Sequence, residues 1–108
     1  MPTVEELLEL LQDDPNDHML RYGLGMEYFR AERYREAAET FRQAIRLQPD
    51  YSVAYRELAR CLVRLDQIAE ARQTLVQGKE AAVAKGDLQV IKDVEKLLRE
   101  LPPEPPGA

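Results

Sequence analysis

The chain has 108 residues, 44% of them hydrophobic and 32% charged, and a net charge of −5. That length and apolar content suit one packed domain and do not stretch to two. A single Cys and a single His exclude an internal disulfide and the common Cys/His zinc sites, and no apolar run approaches the ~20 residues of a membrane-spanning helix.

Charge is uneven along the chain. Residues 1–17 hold six acids and no base, residues 18–65 hold nine Arg and six acids, and residues 66–108 hold six bases and eight acids. An Arg-rich middle therefore lies between two acidic ends. β-Branched runs are missing, and the seven Pro fall almost wholly outside the periodic stretches, which points to helices and away from strands. The opening Met1-Pro2-Thr3-Val4-Glu5-Glu6 is acidic and lacks the basic and apolar regions of a secretory signal, so a cytoplasmic, reducing location is expected.

The first predicted helix spans about Thr3 to Gln12. Thr3 and Glu6 have the spacing of a capping box, and Val4, Leu7, Leu8 and Leu11 make one apolar stripe. Pro15 cannot continue this helix, and Asn16 or Asp17 can cap the next, from about His18 to Ala31. A third helix runs from about Tyr34 to Leu47 and stops before Pro49. A fourth starts at Ser52 or Val53, with Asp50 or Ser52 as its cap, and reaches Leu65. The fifth, from about Ile68 to Lys85, is about a turn longer than the third. Gly78 lies inside it, at a cost of ~1 kcal/mol against Ala unless a neighbouring helix needs the room. Gly86 then supplies a left-handed C-terminal position and Asp87 caps the last helix. There Leu88, Ile91, Val94, Leu98 and Leu101 form the expected packing stripe, flanked by Val90 and Leu97. Opposite them stand Lys92, Asp93, Glu95, Lys96 and Arg99. The Pro-rich stretch 102–108 is expected to be a disordered tail.

These elements recur with a shift of 34 residues. Leu24 returns as Leu58, Gly25 as Ala59, Tyr28 as Leu62, Ala37 as Ala71 and Phe41 as Leu75, while Pro49 has its earlier counterpart in Pro15. Small residues at some of these positions let helix axes approach, and large ones fill the space between. One hairpin buries too little apolar surface, and stacking completes the core. Arg21-x₂-Leu24-Gly25-x₂-Tyr28, Ala37-x₃-Phe41 and Pro49 match all but the Trp of the tetratricopeptide repeat (TPR) pattern. The second copy, Tyr55-x₂-Leu58-Ala59-x₂-Leu62 and Ala71-x₃-Leu75, has an aromatic in the Trp slot but Val83 where Pro would stand. The chain therefore resembles the TPR family across residues 18–85.

That resemblance implies an all-α, right-handed solenoid of antiparallel helix hairpins, about six helices in all. The expected organisation is a half-repeat helix and linker (1–17), one repeat over 18–51, a second over 52–85, a capping helix (86–101) and the tail. It also implies a non-catalytic protein-interaction module whose first helices line a concave groove. Helical spacing opposite the core puts Met19, Tyr22, Met26, Phe29 and Arg30 on that face in the first repeat. In the second it puts Val53, Arg56, Arg60, Val63 and Arg64 there. The first half is apolar and aromatic, and the second is basic. Arg56, Arg60 and Arg64, at i, i+4 and i+8, could hold carboxylates of a protein or peptide partner. The alternatives are that Met19 and Met26 pack on the first helix, and that the Arg row is a solvated face near Glu57. Some TPR domains clamp a C-terminal carboxylate with Lys and Asn. Tyr22 and Met26 stand where the first such pair would be expected, so a chaperone-tail function of that type is not implied.

Catalytic constellations are missing. His18 reads as an exposed helix-start residue, Cys61 as a small buried hydrophobe, and Ser52 has no base beside it. Neither phosphate-binding Gly loop occurs, and Asp13, Asp14 and Asp17 lack EF-hand spacing, so neither cofactor nor metal is expected. Two other readings remain. A self-associating structural component would pair through the leading helix. RNA binding through the Arg row is disfavoured by the overall acidity. Pro102 and Pro105 also have the spacing of a PxxP ligand.

Overall fold

Residues 1–103 are described by the computed structural model. Six helices follow one another: α1 (Val4–Asp13), α2 (His18–Arg30), α3 (Tyr34–Leu47), α4 (Ser52–Arg64), α5 (Ile68–Lys85) and α6 (Leu88–Glu100). No strand occurs among the described residues, and the helices stack into an all-α solenoid 47 Å long. Pro105 and the rest of the expected tail from residue 104 lie outside the described residues. Pro102 is tied down, since its carbonyl accepts a hydrogen bond from Arg72 at 2.6 Å.

The helix ends follow local chemistry. Thr3 Oγ1 accepts from the Glu6 N–H at 3.1 Å and the Glu6 carboxylate accepts from the Thr3 N–H at 3.3 Å, which completes the capping box. Asp17 accepts from the N–H groups of Met19 and Leu20, and Gly86 is left-handed at φ 71°. At α4 the expected cap is corrected. Neither Asp50 nor Ser52 caps it; Tyr51 occupies the N-cap with no side-chain bond. Ser52 is the first helical residue, and its hydroxyl donates to Asp87 at 2.9 Å. Asp87 also caps α6 by accepting from the Val90 N–H at 3.4 Å. A buried hydroxyl facing a carboxylate gains a charge-assisted bond that the backbone cannot match, so Ser52 turns towards α6.

The 34-residue recurrence extends to atoms that the sequence pattern does not specify. Glu32 and Asp66 both adopt φ 60° at the turns after α2 and α4. Thr40 and Thr74 both bond back to the carbonyl four residues earlier. In the Trp slot, Arg21 donates to the Pro15 carbonyl at 2.9 Å, and Tyr55 donates to the Pro49 carbonyl at 2.7 Å. Arg21 thus makes the same tie between its helix and the preceding linker with a flexible stem in place of a ring.

Gly78 lies where α5 closely approaches Tyr55 of α4. A methyl at Gly78 would lie 2.7 Å from Tyr55 Cβ, whereas the matching position in the first copy is Ala44, fully buried. Gly78→Ala is therefore expected to destabilise. Overpacking of about 1–3 kcal/mol outweighs the ~1 kcal/mol gained in helix propensity. A lower thermal midpoint would show it, and a raised one would contradict it.

The core lies in three groups along the stack. Leu7, Leu11 and Leu24 join α1 to α2, and Phe41, Leu58, Cys61 and Leu62 fill the middle. Ala59, Leu75, Ala82, Val90 and Val94 join α4, α5 and α6. Tyr28 touches both of the first two groups. In α6 the expected stripe is rotated. Val90 and Val94 are its centre, Ile91, Leu97, Leu98 and Leu101 pack beside them, and Leu88 is 70% exposed. The Asp87 cap ties the first turn of α6 to Ser52.

Curvature follows from which helices touch. α2 contacts α4, and α4 contacts α6, whereas α3 and α5 make no close backbone approach. They are spanned by an Arg42–Glu70 ion pair at 2.9 Å above a cavity of about 280 Å³ floored by Ile45, Tyr55 and Leu58. The row α2, α4, α6 is thus the inner side of the curve.

Candidate functional site

The ten groove candidates all lie on α2 and α4 of this inner row, in three environments. The first is a closed polar centre. Glu57, only 2% exposed, accepts from Arg56 Nε at 3.0 Å and from Arg60 at 2.9 Å. Arg56 also donates to Asp93 of α6 at 2.8 Å, and Gln89 holds the other Asp93 oxygen at 3.0 Å. Burial works to lower the pKa of Arg56, but the Glu57 carboxylate and the Tyr22 phenol outweigh it and hold the guanidinium above its ordinary value. Burial pushes the Tyr22 phenol up, with Glu57 adding to the shift. Tyr22 packs on Phe41 at 5.7 Å and edge-on to Tyr51 at 5.5 Å, so it joins the core to this centre.

The second environment is open. Met26 and Phe29 are half-buried against the central core, and Val63 is exposed beside them. The exposed Arg64 lies over the rings of Phe29 and Tyr34 at 5.7 and 5.6 Å and donates to the Tyr34 hydroxyl at 3.0 Å. It makes no ion pair among the described residues. Arg60, one turn before it, is half-exposed and shares Glu57 with Arg56. Three residues form the margins. Met19 is 64% exposed and not part of the α1 packing, Arg30 pairs with Glu27, and Val53 packs towards α6.

Glu57, Asp93, Tyr34 and Tyr51 were not singled out as site residues by the sequence pattern. Glu57 carries a weak signal, since it adjoins Arg56 and stands three residues before Arg60. Nothing in the linear sequence places Asp93 against α4. His18, expected to be exposed, is half-buried with its ring edge-on to Tyr51 at 4.7 Å.

The chemistry of the remaining groups is plain. Cys61 is fully buried, and burial first, then Glu57, pushes its thiol up to about 12. Alkylation by iodoacetamide at pH 8 is accordingly expected only after denaturation; rapid labelling of the folded protein would contradict this burial. Among the described residues no group of His, Cys, Asp and Glu could hold a metal ion, and no helix is long and apolar enough to cross a membrane.

Comparison with known proteins matches these features. The tetratricopeptide repeat family matches residues 28–89. A TPR repeat-containing protein of Pseudomonas aeruginosa is 32% identical over 98 residues, covering 91% of this chain and 93% of that protein. A solved protein from Bordetella parapertussis is 33% identical with a TM-score of 0.79, over 92% of this chain and 86% of that one. The TPR2B domain of yeast Sti1, solved in complex with pHsp70, shares the fold at a TM-score of 0.85 and 18% identity, over 89% and 77% of the two chains. Helix order, recurring turns and family match agree: the chain belongs to the tetratricopeptide-repeat family.

Proposed function

We propose that the inner row is a docking groove for a protein or peptide segment, and that the chain is a binding module and not an enzyme. Repeats over 18–51 and 52–85 would supply the two halves of the groove. Met26, Phe29 and Val63 receive apolar side chains, with Tyr22, Val53 and Met19 extending that surface. Acidic side chains meet Arg64 first and Arg60 second, while Arg30 lies at the rim and Arg56 shapes the floor. The observation that carries this reading is Arg64: an exposed guanidinium held over two aromatic rings without a carboxylate, beside an apolar strip. Aromatic contact and the Tyr34 bond hold the cation over the rings, and its remaining donors can take a carboxylate. A domain of the same fold, TPR2B of yeast Sti1, is solved in complex with pHsp70, which supports a protein or peptide as the kind of partner.

The test begins with a segment captured from the native cell at low salt. Arg64→Ala is expected to weaken its binding roughly 10-fold or more in calorimetry, the range of a lost charge-assisted hydrogen bond. The affinity should also fall as salt rises. If Arg64→Ala and Arg60→Ala both leave the affinity unchanged, the groove is not where the segment binds.

A further inference from the structure

The two end helices carry faces that the groove does not use. Inside the stack each helix has neighbours on both sides, but α1 packs on α2 alone and α6 only on α4 and α5. At about 3.6 residues per turn, Glu5, Glu9 and Asp13 lie opposite the buried Leu7 and Leu11, so they point away from the stack. On α6 the same geometry puts Lys92, Lys96 and Arg99 opposite the buried Val90 and Val94. All six are exposed, and none makes an ion pair among the described residues. Apolar residues flank both rows: Leu8 and Leu10, 43% and 50% exposed, on α1, and Leu88 on α6.

We infer that the acidic face of α1 docks on the basic face of α6 of a second copy, so that copies join head to tail along the solenoid axis. Three features of the molecule support a second copy. The faces are opposite in sign and lie at opposite ends. Their spacings nearly match, i, i+4, i+8 against i, i+4, i+7, so an antiparallel pairing sets Asp13 against Lys92, Glu9 against Lys96 and Glu5 near Arg99. The leading segment has six acids and no base, so nothing within it neutralises the row. Exposed ion pairs contribute little one by one, so the contact is weak, cumulative and salt-dependent. The two faces differ, so the contact is heterologous: it does not saturate at a dimer but continues to longer species or closes a ring. It leaves Arg64 and the groove uncovered, so it stands independently of the docking reading above.

Charge reversal tests this directly. Sedimentation velocity over a concentration series in 20 mM salt is expected to show the mass-average rising beyond a dimer, and returning to monomer in 500 mM salt. Lys92→Glu/Lys96→Glu/Arg99→Glu should be monomeric alone, as should Glu5→Lys/Glu9→Lys/Asp13→Lys, each with an unchanged circular dichroism spectrum. An equimolar mixture of the two should associate again, because each restores the opposite sign for the other. A wild type that stays monomeric at low salt overturns the proposal. So does a species that stops at a dimer, or a mixture that stays monomeric. Should one triple variant fail to fold, Glu9→Lys with Lys96→Glu replaces the pair, read in the same way.

Discussion

Phe41→Ala is expected to cost about 3–5 kcal/mol of stability, the largest effect of any single truncation in this chain. The side chain is fully buried, and its ring sits against α2 where Gly25 lets the helix come close; a methyl there would lie 2.6 Å from the ring. The same ring meets Tyr22 and belongs to the central core with Leu58, Cys61 and Leu62. Its removal leaves a cavity where the two hairpins join, bounded by helices too constrained to collapse into it. Domains of this size are stable by only about 5–15 kcal/mol, so the variant should be partly unfolded well below the wild-type melting temperature. Urea titration followed by circular dichroism would measure the loss. A change below about 1 kcal/mol would mean that the hairpins do not depend on this contact for their union.

Arg56→Ala is expected to cost about 3 kcal/mol, at the low end for breaking a buried ion pair. Removing Arg56 leaves Glu57 buried with Arg60 as its one remaining ionic partner among the described residues, and Arg60 is itself half in water. It also cuts the Asp93 tie between α4 and α6. The apolar pair Arg56→Met/Glu57→Leu should recover most of the loss, because similar-sized hydrophobic groups need no partner. Arg64→Ala, by contrast, should change the urea midpoint little, since the side chain is exposed and its contacts with Phe29 and Tyr34 lie at the surface, with no buried charge left behind. The two arginines are eight residues apart on one face, yet they separate structure from surface. A stable Arg56→Ala protein would show that the closed centre is not structural.

Helix boundaries and core were legible in the sequence because both depend on short-range chemistry. Thr3, Asp17, Gly86 and Asp87 act at the positions where capping requires them. Leu24, Phe41, Leu58, Leu62 and Leu75 recur at a period that only stacked hairpins satisfy. Gly78 was legible as an irregularity whose cause was not, since the Tyr55 side chain that crowds it comes from another helix.

The inner face was legible as a set of residues and illegible as a set of states. Spacing alone treats Arg56, Arg60 and Arg64 as equivalent. Only the approach of α6 brings Asp93 to Arg56, and only the folded stack buries Glu57. The sequence by itself thus determined the helices, their period and the apolar partners of the core, because propensity, capping and hydrophobic spacing act over a few residues. Tertiary structure alone decided which charges are spent within the fold and which remain open, because that depends on distances between helices remote in the chain. Ser52 turned to Asp87, Leu88 turned to water and Arg64 was left over Phe29 and Tyr34 for the same reason.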